Sequence, residues 1–318
     1  MTINDLQNEF HGLPVVEFPI DTDAAPAVPG PGPVAWRITV PTYEAPMEWP
    51  EAFAKFRAAV DPSSVQAIVV GGWSDPYEES SADVVAALVA AADELPALRA
   101  LFLGDMTFED CEISWIVQSD VTPLLTAFPR LEHLGVRGGT QLELTPVRHE
   151  NLRRLVIETG GLSVDVVRAV AASDLPALTD LELWLGDENY GADSTVDDLA
   201  PILSGEKLPR LTRLALANSE YEDEIAAAVA TAPIVPQLQV LDLSKGALSD
   251  AGAKALLAGQ ALTHLESLDL HHNYLTEGMR TRLRAALEPS GVQLNLDGED
   301  TEEEEYDGTI YRSVAVSE

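Results

Sequence analysis

Cysteine is almost missing from this sequence: Cys111 stands alone among 318 residues. An internal disulfide is therefore excluded, and a reducing compartment is expected. Basic residues are scarce as well, 19 Lys and Arg against 53 Asp and Glu, for a formal net charge of −34. Such a surface repels nucleic-acid backbones and anionic membranes and favours basic proteins. We expect a protein partner, basic in character, with no nucleic acid and no membrane. No stretch approaches the roughly 18 consecutive apolar residues a transmembrane helix needs. The opening "MTINDLQNEFHGLPVVEF" contains no Lys or Arg, so a secretory signal is not expected. These absences point to a cytoplasmic protein.

Signatures of catalysis are missing too. There is no G-x-G-x-x-G after a strand, no G-x-x-x-x-G-K-[ST], no H-E-x-x-H and no G-x-S-x-G. Cys111 sits in "FEDCEIS", between acids that raise a thiol pKa rather than activate it. The six histidines are scattered; His271 and His272 are neighbours at a strand end, where side chains diverge, and nothing supplies a third ligand at metal spacing. The segment "GDENYGADSTVDD" (186–198) concentrates Asp187, Glu188, Asn189, Asp193, Asp197 and Asp198. Their order does not fit the calcium loop D-x-[DN]-x-[DN]-G-x₅-E. It reads instead as an insertion before a helix capped by Ser194, with Asp197 in the first turn. No cofactor, metal or enzymatic activity is expected.

What the sequence has in abundance is one short pattern. "LPALRALFLGD" (95–105), "FPRLEHLGVRG" (128–138) and "NLRRLVIETG" (151–160) are followed by "LPALTDLELWLG" (175–186) and "LPRLTRLALANS" (208–219). "VPQLQVLDLSKG" (235–246) and "LTHLESLDLHHN" (262–273) complete the set, with weaker copies at 65–73 and 292–300. Each reads L-x-x-L-x-x-L-x-L-x-x. The first residue of the L-x-L pair falls at 68, 101, 134, 155, 181, 214, 241, 268 and 294, at intervals of 33, 33, 21, 26, 33, 27, 27 and 26. Alternation makes L-x-L a short strand, its leucines inward and the residues between them outward. The return limbs read as helices: 80–92 with Ser80 as cap, 162–172 with Ser163, and 248–259 with Ser249. Such coils stack in parallel, and helices being wider than strands, the sheet bends into a horseshoe.

This is the leucine-rich-repeat pattern, and "LDLSKGALSDAGAKALL" and "LDLHHNYLTEGMRTRL" resemble its ribonuclease-inhibitor-like class. The resemblance spans residues 65–297 and implies an α/β solenoid with parallel strands on the concave face and helices on the convex face. The asparagine that follows the strand in that class survives here as Asn273. As a whole the chain resembles uncharacterised bacterial leucine-rich-repeat proteins with an "HGLPVVEF" start and an acidic tail ending like "YRSVAVSE".

Solenoids need covered ends. Residues 1–64 read as an N-terminal capping region, with strands at 12–18 and 34–40 and a helix at 49–60, before a repeat domain over 65–298. Residues 299–318 form an acidic tail, whose "TIYRSVAV" is apolar enough to dock on the body or serve as a recognition peptide.

The register also predicts a partner-binding surface. Concave positions flank and separate the paired leucines, and from them we select Phe102, His133, Arg137, Arg154, Glu158, Asp180, Glu182, Trp184, Arg213, Asp242, Asp269 and His271 as binding candidates. Trp184 flanked by arginines is the expected anchor, since Trp and Arg dominate interface hot spots. Six arginines between Arg99 and Arg154 suggest a local basic spot. The resemblance implies a non-enzymatic, monomeric interaction scaffold in which that face receives a protein. The alternative is GTPase activation, since the eukaryotic activator of Ran joins this repeat class to an acidic tail, or inhibition of a basic enzyme. No arginine stands out as a catalytic finger.

Overall fold

The structure, a computed structural model, describes residues 3, 5–21, 32–42, 45–298, 301, 303–306 and 309–318. The Pro- and Gly-rich connection and most of the acidic run lie outside these residues.

Twelve strands join in sequence order into one sheet. They are β1 (Glu9–Phe10), β2 (Leu13–Glu17), β3 (Ala35–Ile38), β4 (Ala67–Val70), β5 (Ala100–Leu103) and β6 (His133–Arg137). Then follow β7 (Arg154–Glu158), β8 (Asp180–Gly186), β9 (Arg213–Ser219), β10 (Val240–Asp242), β11 (Ser267–Asp269) and β12 (Gln293–Asn295). β1 meets β2 antiparallel; from β2 onward every pair is parallel. The parallel run therefore starts before the first repeat, in the capping region, and is longer than the eight or nine strands that the repeat count suggests.

The register is the one the L-x-L spacing dictates. Ile68, Leu101, Leu134, Leu155 and Leu181 pair in succession, followed by Leu214, Leu241, Leu268 and Leu294. Ile38 stands 30 residues before Ile68, close to one repeat, yet it faces Val70, while Trp36 pairs with Ile68. A shift of two residues keeps the same face inward, so the core survives the difference.

The returns carry α1 (Trp49–Ala59), α2 (Ala82–Ala90), α3 (Thr122–Ala127), α4 (Val164–Ala172), α5 (Ala200–Ser204), α6 (Glu222–Val229), α7 (Asp250–Ala258) and α8 (Glu277–Leu287). The 21-residue interval between β6 and β7 leaves no room for one, and its return is held by single bridges from Thr140 to Val117 and from Glu143 to Asp120. One continuous leucine- and valine-rich core fills the space between sheet and returns. This is an α/β leucine-rich-repeat solenoid.

Two helix starts differ by one residue from the expected ones. α2 begins after Ser81, whose buried hydroxyl bonds Ser119 rather than its own helix. In the insertion the cap is Thr195, reciprocally bonded with Asp198, while Ser194 bonds the Tyr221 hydroxyl. Ser163 and Ser249 cap α4 and α7. Asn273 binds the Leu270 and Asp297 carbonyls and accepts the Leu275 N–H, satisfying backbone groups that the turn leaves open.

One device recurs between coils. Asp223 in the first turn of α6 accepts the Ser249 N–H at 2.8 Å and its hydroxyl at 2.5 Å. Asp250 in the first turn of α7 does the same for Thr276, at 2.9 Å for both. Each helix thus tethers the capping residue of the next.

Candidate functional site

The concave face divides into three zones, and the chain's own ends occupy two of them. At the N-terminal zone the outward residues Ala35, Ala67, Val69, Ala100 and Phe102 form an apolar patch. The hairpin β1–β2 folds Phe10 onto it, edge-on to Phe102 at 5.9 Å and 4.5 Å from the His133 ring. Gly135 makes room for this, because a Cβ there would lie 2.2 Å from the Phe102 ring.

Beside that patch lies a buried ionic chain. The Nε of Arg37 donates to Asp105 at 3.0 Å, Arg137 stands 3.5 Å from the same carboxylate, and the Nε of Arg137 donates to Glu158 at 2.8 Å. The Gln7 N–H caps Asp105. Arg137 also donates to the Met106 carbonyl and covers the Phe102 face. Burial, with Arg154 and His11 nearby, pushes His133 down to about 3, so its ring stays neutral.

This corrects three of the selected residues. Phe102, His133 and Arg137 do face outward from the sheet, but all three are buried, Phe102 and His133 beneath Phe10 of the N-terminal hairpin and Arg137 among Met106, Asp105 and Glu158. Sequence periodicity assigns a side chain to a face; it does not show what lies on that face.

The C-terminal zone holds the tail. After β13 (Glu304–Tyr306) and β14 (Thr309–Tyr311) pair antiparallel, residues 313–318 cross the coils in reverse order. The Ser313 carbonyl bonds His272 Nε2 at 3.2 Å and accepts the Tyr274 hydroxyl at 2.9 Å. The Ala315 N–H donates to the Lys245 carbonyl at 2.7 Å. Asn218 holds Val316 at both ends, Oδ1 accepting its N–H at 2.9 Å and Nδ2 donating to its carbonyl at 2.5 Å. Ser114 donates to the Ser317 carbonyl, and the Tyr190 hydroxyl to Glu318. Ala315 and Val316 pack with Ile113, Trp184, Ala217 and Ile3.

Trp184 is accordingly 8% exposed. The expected anchor is covered by the tail. Its indole N–H donates to Glu182 at 2.9 Å, and the Lys245 ammonium sits over its ring. Of the residues that hold the tail, periodicity did not point to Asn218, Ser114 or Tyr190; the legible signal was the small apolar run in the tail itself.

Between the two covered zones lies an open strip. The register puts Arg154 beside Asp180 and Asp180 beside Arg213. Glu182, Asp242 and Asp269 sit at the position between the leucines in their own strands. Arg213 reaches Asp180 at 3.0 Å, Glu182 at 2.8 Å and Asp242 at 3.3 Å. Arg154 approaches Asp180 at 3.4 Å and Glu182 at 3.8 Å, with its side chain 45% exposed. His271 Nδ1 meets Asp269 at 2.8 Å. Burial raises Glu182, but Arg213, the Trp184 N–H and Arg154 outweigh it and hold that carboxyl below its usual range. In Asp242 burial dominates and the carboxyl is raised. Glu158 ends the strip, half-covered and committed to Arg137.

The cluster of arginines does not make a basic spot. Arg99 and Arg153 pair with Glu132, Arg137 with Asp105 and Glu158, and Arg148 with Glu150 and Asp174. The insertion's acids likewise hold protein donors: Asp187 takes Asn189, Asp193 takes the Val164 N–H, and Asp198 takes Thr195 and Arg168. Burial pushes the Cys111 thiol up to about 12, with the surrounding acids adding to it. Among the described residues no group of His, Cys, Asp and Glu is arranged to hold a metal, and no helix is long and apolar enough to cross a membrane.

Fold and face together define a leucine-rich-repeat solenoid whose concave surface is partly closed by its own termini. The chain belongs to the family of a Bacteroides fragilis protein of known crystal structure, to which it is 30% identical with a TM-score of 0.75, over 85% of this chain and 73% of that one. An internalin from Listeria monocytogenes is also similar, at 16% identity and a TM-score of 0.38, over 73% of this chain and 67% of the internalin. No protein-family model and no curated protein matches the chain.

Proposed function

We propose that this protein is a non-enzymatic interaction scaffold that binds a basic protein through the open strip, in the cytoplasm. The observation that carries this reading is the row from Arg154 to His271, in which two arginines stand among four carboxylates, fixed by strand register and by each other; Arg154 is exposed, Asp242 buried and the others half-buried. Side chains held this way lose little freedom on binding, which favours affinity. The net charge of −34 steers a cationic partner toward the surface and makes its association rate depend on salt.

The test is capture from a native lysate, followed by titration of the purified pair. The wild type is compared with Asp269→Lys/Asn295→Lys, which reverses the charge at the exposed end of the strip. A basic protein held by the wild type, lost with the double variant and weakened steeply by salt supports the reading. Equal retention by both forms removes it.

A further inference from the structure

We propose that the track now holding residues 313–318 is a peptide-recognition site, and that its occupant in trans is an extended segment of a partner protein with consecutive small apolar residues between polar ones. It adjoins the charged strip at Trp184, whose indole N–H donates to Glu182, and it is tested separately from that strip.

The track is built for backbone. Three successive coils contribute the same position, four residues after the first inward leucine: Asn218, Lys245 and His272. All three adopt the left-handed conformation, with φ of 57°, 66° and 51°, a region that side chains other than Gly and Asn rarely occupy. Each turns one polar group toward the tail: the Asn218 amide to both backbone groups of Val316, the Lys245 carbonyl to the Ala315 N–H, and the His272 ring to the Ser313 carbonyl. An asparagine that reads an N–H and a carbonyl of one residue recognises an extended chain without asking for its side chain.

Selectivity comes from the space around that backbone. Ala315 and Val316, each only 2% exposed, fill a recess walled by Ile113, Trp184, Ala217 and Ile3. Gly160 completes it, since a Cβ there would stand 2.3 Å from the Ser317 carbonyl. A bulky side chain in the place of Ala315 would not fit.

The chain's own end docks against an electrostatic cost. Residues 299–308 carry seven acids and no base, and they connect to a body that is itself strongly acidic. Their repulsion opposes docking, so a segment with the same apolar pattern and no acidic tether competes well.

The test uses the full-length chain and a fluorescein-labelled YRSVAVSE peptide. Val316→Asp places a charge against Trp184 and releases the attached tail while leaving the repeats intact, which circular dichroism checks. Fluorescence anisotropy is then expected to show saturable binding to this variant, at least tenfold weaker binding to the wild type, whose track is filled, and at least tenfold weaker binding when Asn218→Gly is added. Glycine keeps the left-handed backbone and removes only the amide. A peptide with Trp in the place of Ala315 should not bind. Absence of saturable binding to the natively folded Val316→Asp chain overturns the proposal, as does binding that Asn218→Gly leaves unchanged. A wild type that sediments as a dimer, and as a monomer once Val316→Asp is introduced, also overturns it, by assigning the track to a second copy.

Discussion

Glu222 offers the sharpest test of the electrostatics. It opens α6 and is fully buried. Burial raises its pKa well above the usual value, Asp242 adds to the effect, and the Ser219 N–H offsets only part of it. The folded protein therefore keeps a proton that the unfolded chain gives up near pH 4.5. Between those two pKa values the native state binds more protons, so stability falls as pH rises, with a limiting slope of about 1.4 kcal/mol per pH unit. Above the folded value the loss is complete and the slope vanishes.

Glu222→Gln removes the titration and preserves shape. Any fixed cost or gain from the amide is the same at every pH, so the informative quantity is the difference in Tm between variant and wild type. With an unfolding entropy of about 2.1 cal/mol/K per residue, the limiting slope corresponds to roughly 2 °C per pH unit for a chain of this length. Scanning calorimetry from pH 5 to pH 8 should show the variant gaining on the wild type by up to that amount per unit. Asp242 and the other titrating groups are present in both proteins and largely cancel. A difference that stays flat, or that shrinks as pH rises, refutes the claim that Glu222 is held neutral.

Two further outcomes test the packing. Leu241→Ala in β10 removes a fully buried side chain and should cost about 2–5 kcal/mol. Hydrogen exchange should show the loss concentrated in the coils of β9 to β11, because each coil leans on its neighbours; uniform deprotection of the whole solenoid would contradict this. Ser249→Ala removes both the α7 cap and the hydroxyl held by Asp223, for a loss of about 1–2 kcal/mol. A urea titration with an unchanged midpoint would show that the tether between coils carries no weight.

The strands were legible because the physics that sets them is local and repeated. A leucine pair every 21 to 33 residues can be buried only if all pairs share one register, and a single slip would expose the whole set. The return between β6 and β7, where the interval is 21, carries no helix. Caps were misplaced by a single residue where serine sits next to serine, as at Ser80 and Ser81, since each can offer an oxygen to the same turn. The candidate site was less legible. Periodicity correctly turned Phe102, His133 and Trp184 away from the core, and only the fold of distant segments shows that Phe10 and Val316 lie on them. Complementarity between residue 10 and residue 102, or between 316 and 218, leaves no periodic trace. Arg154, Asp180 and Arg213 are different: they occupy one row of the register, so their alternating charge could be read directly.

The tethers between coils and the tail set opposite rules for length. Asp223 with Ser249 and Asp250 with Thr276 share one 26-residue offset, so excising residues 224–250 would bring Asp223 to Thr276 at that same offset. As far as these joints are concerned, the array could gain or lose coils like carriages on a train. The tail could not follow. Its contacts run from the coil of β11 back to Ser114 and Tyr190, and a shorter array would leave it overhanging while a longer one would leave it short. In this family member the C-terminus works as a gauge that matches one number of coils.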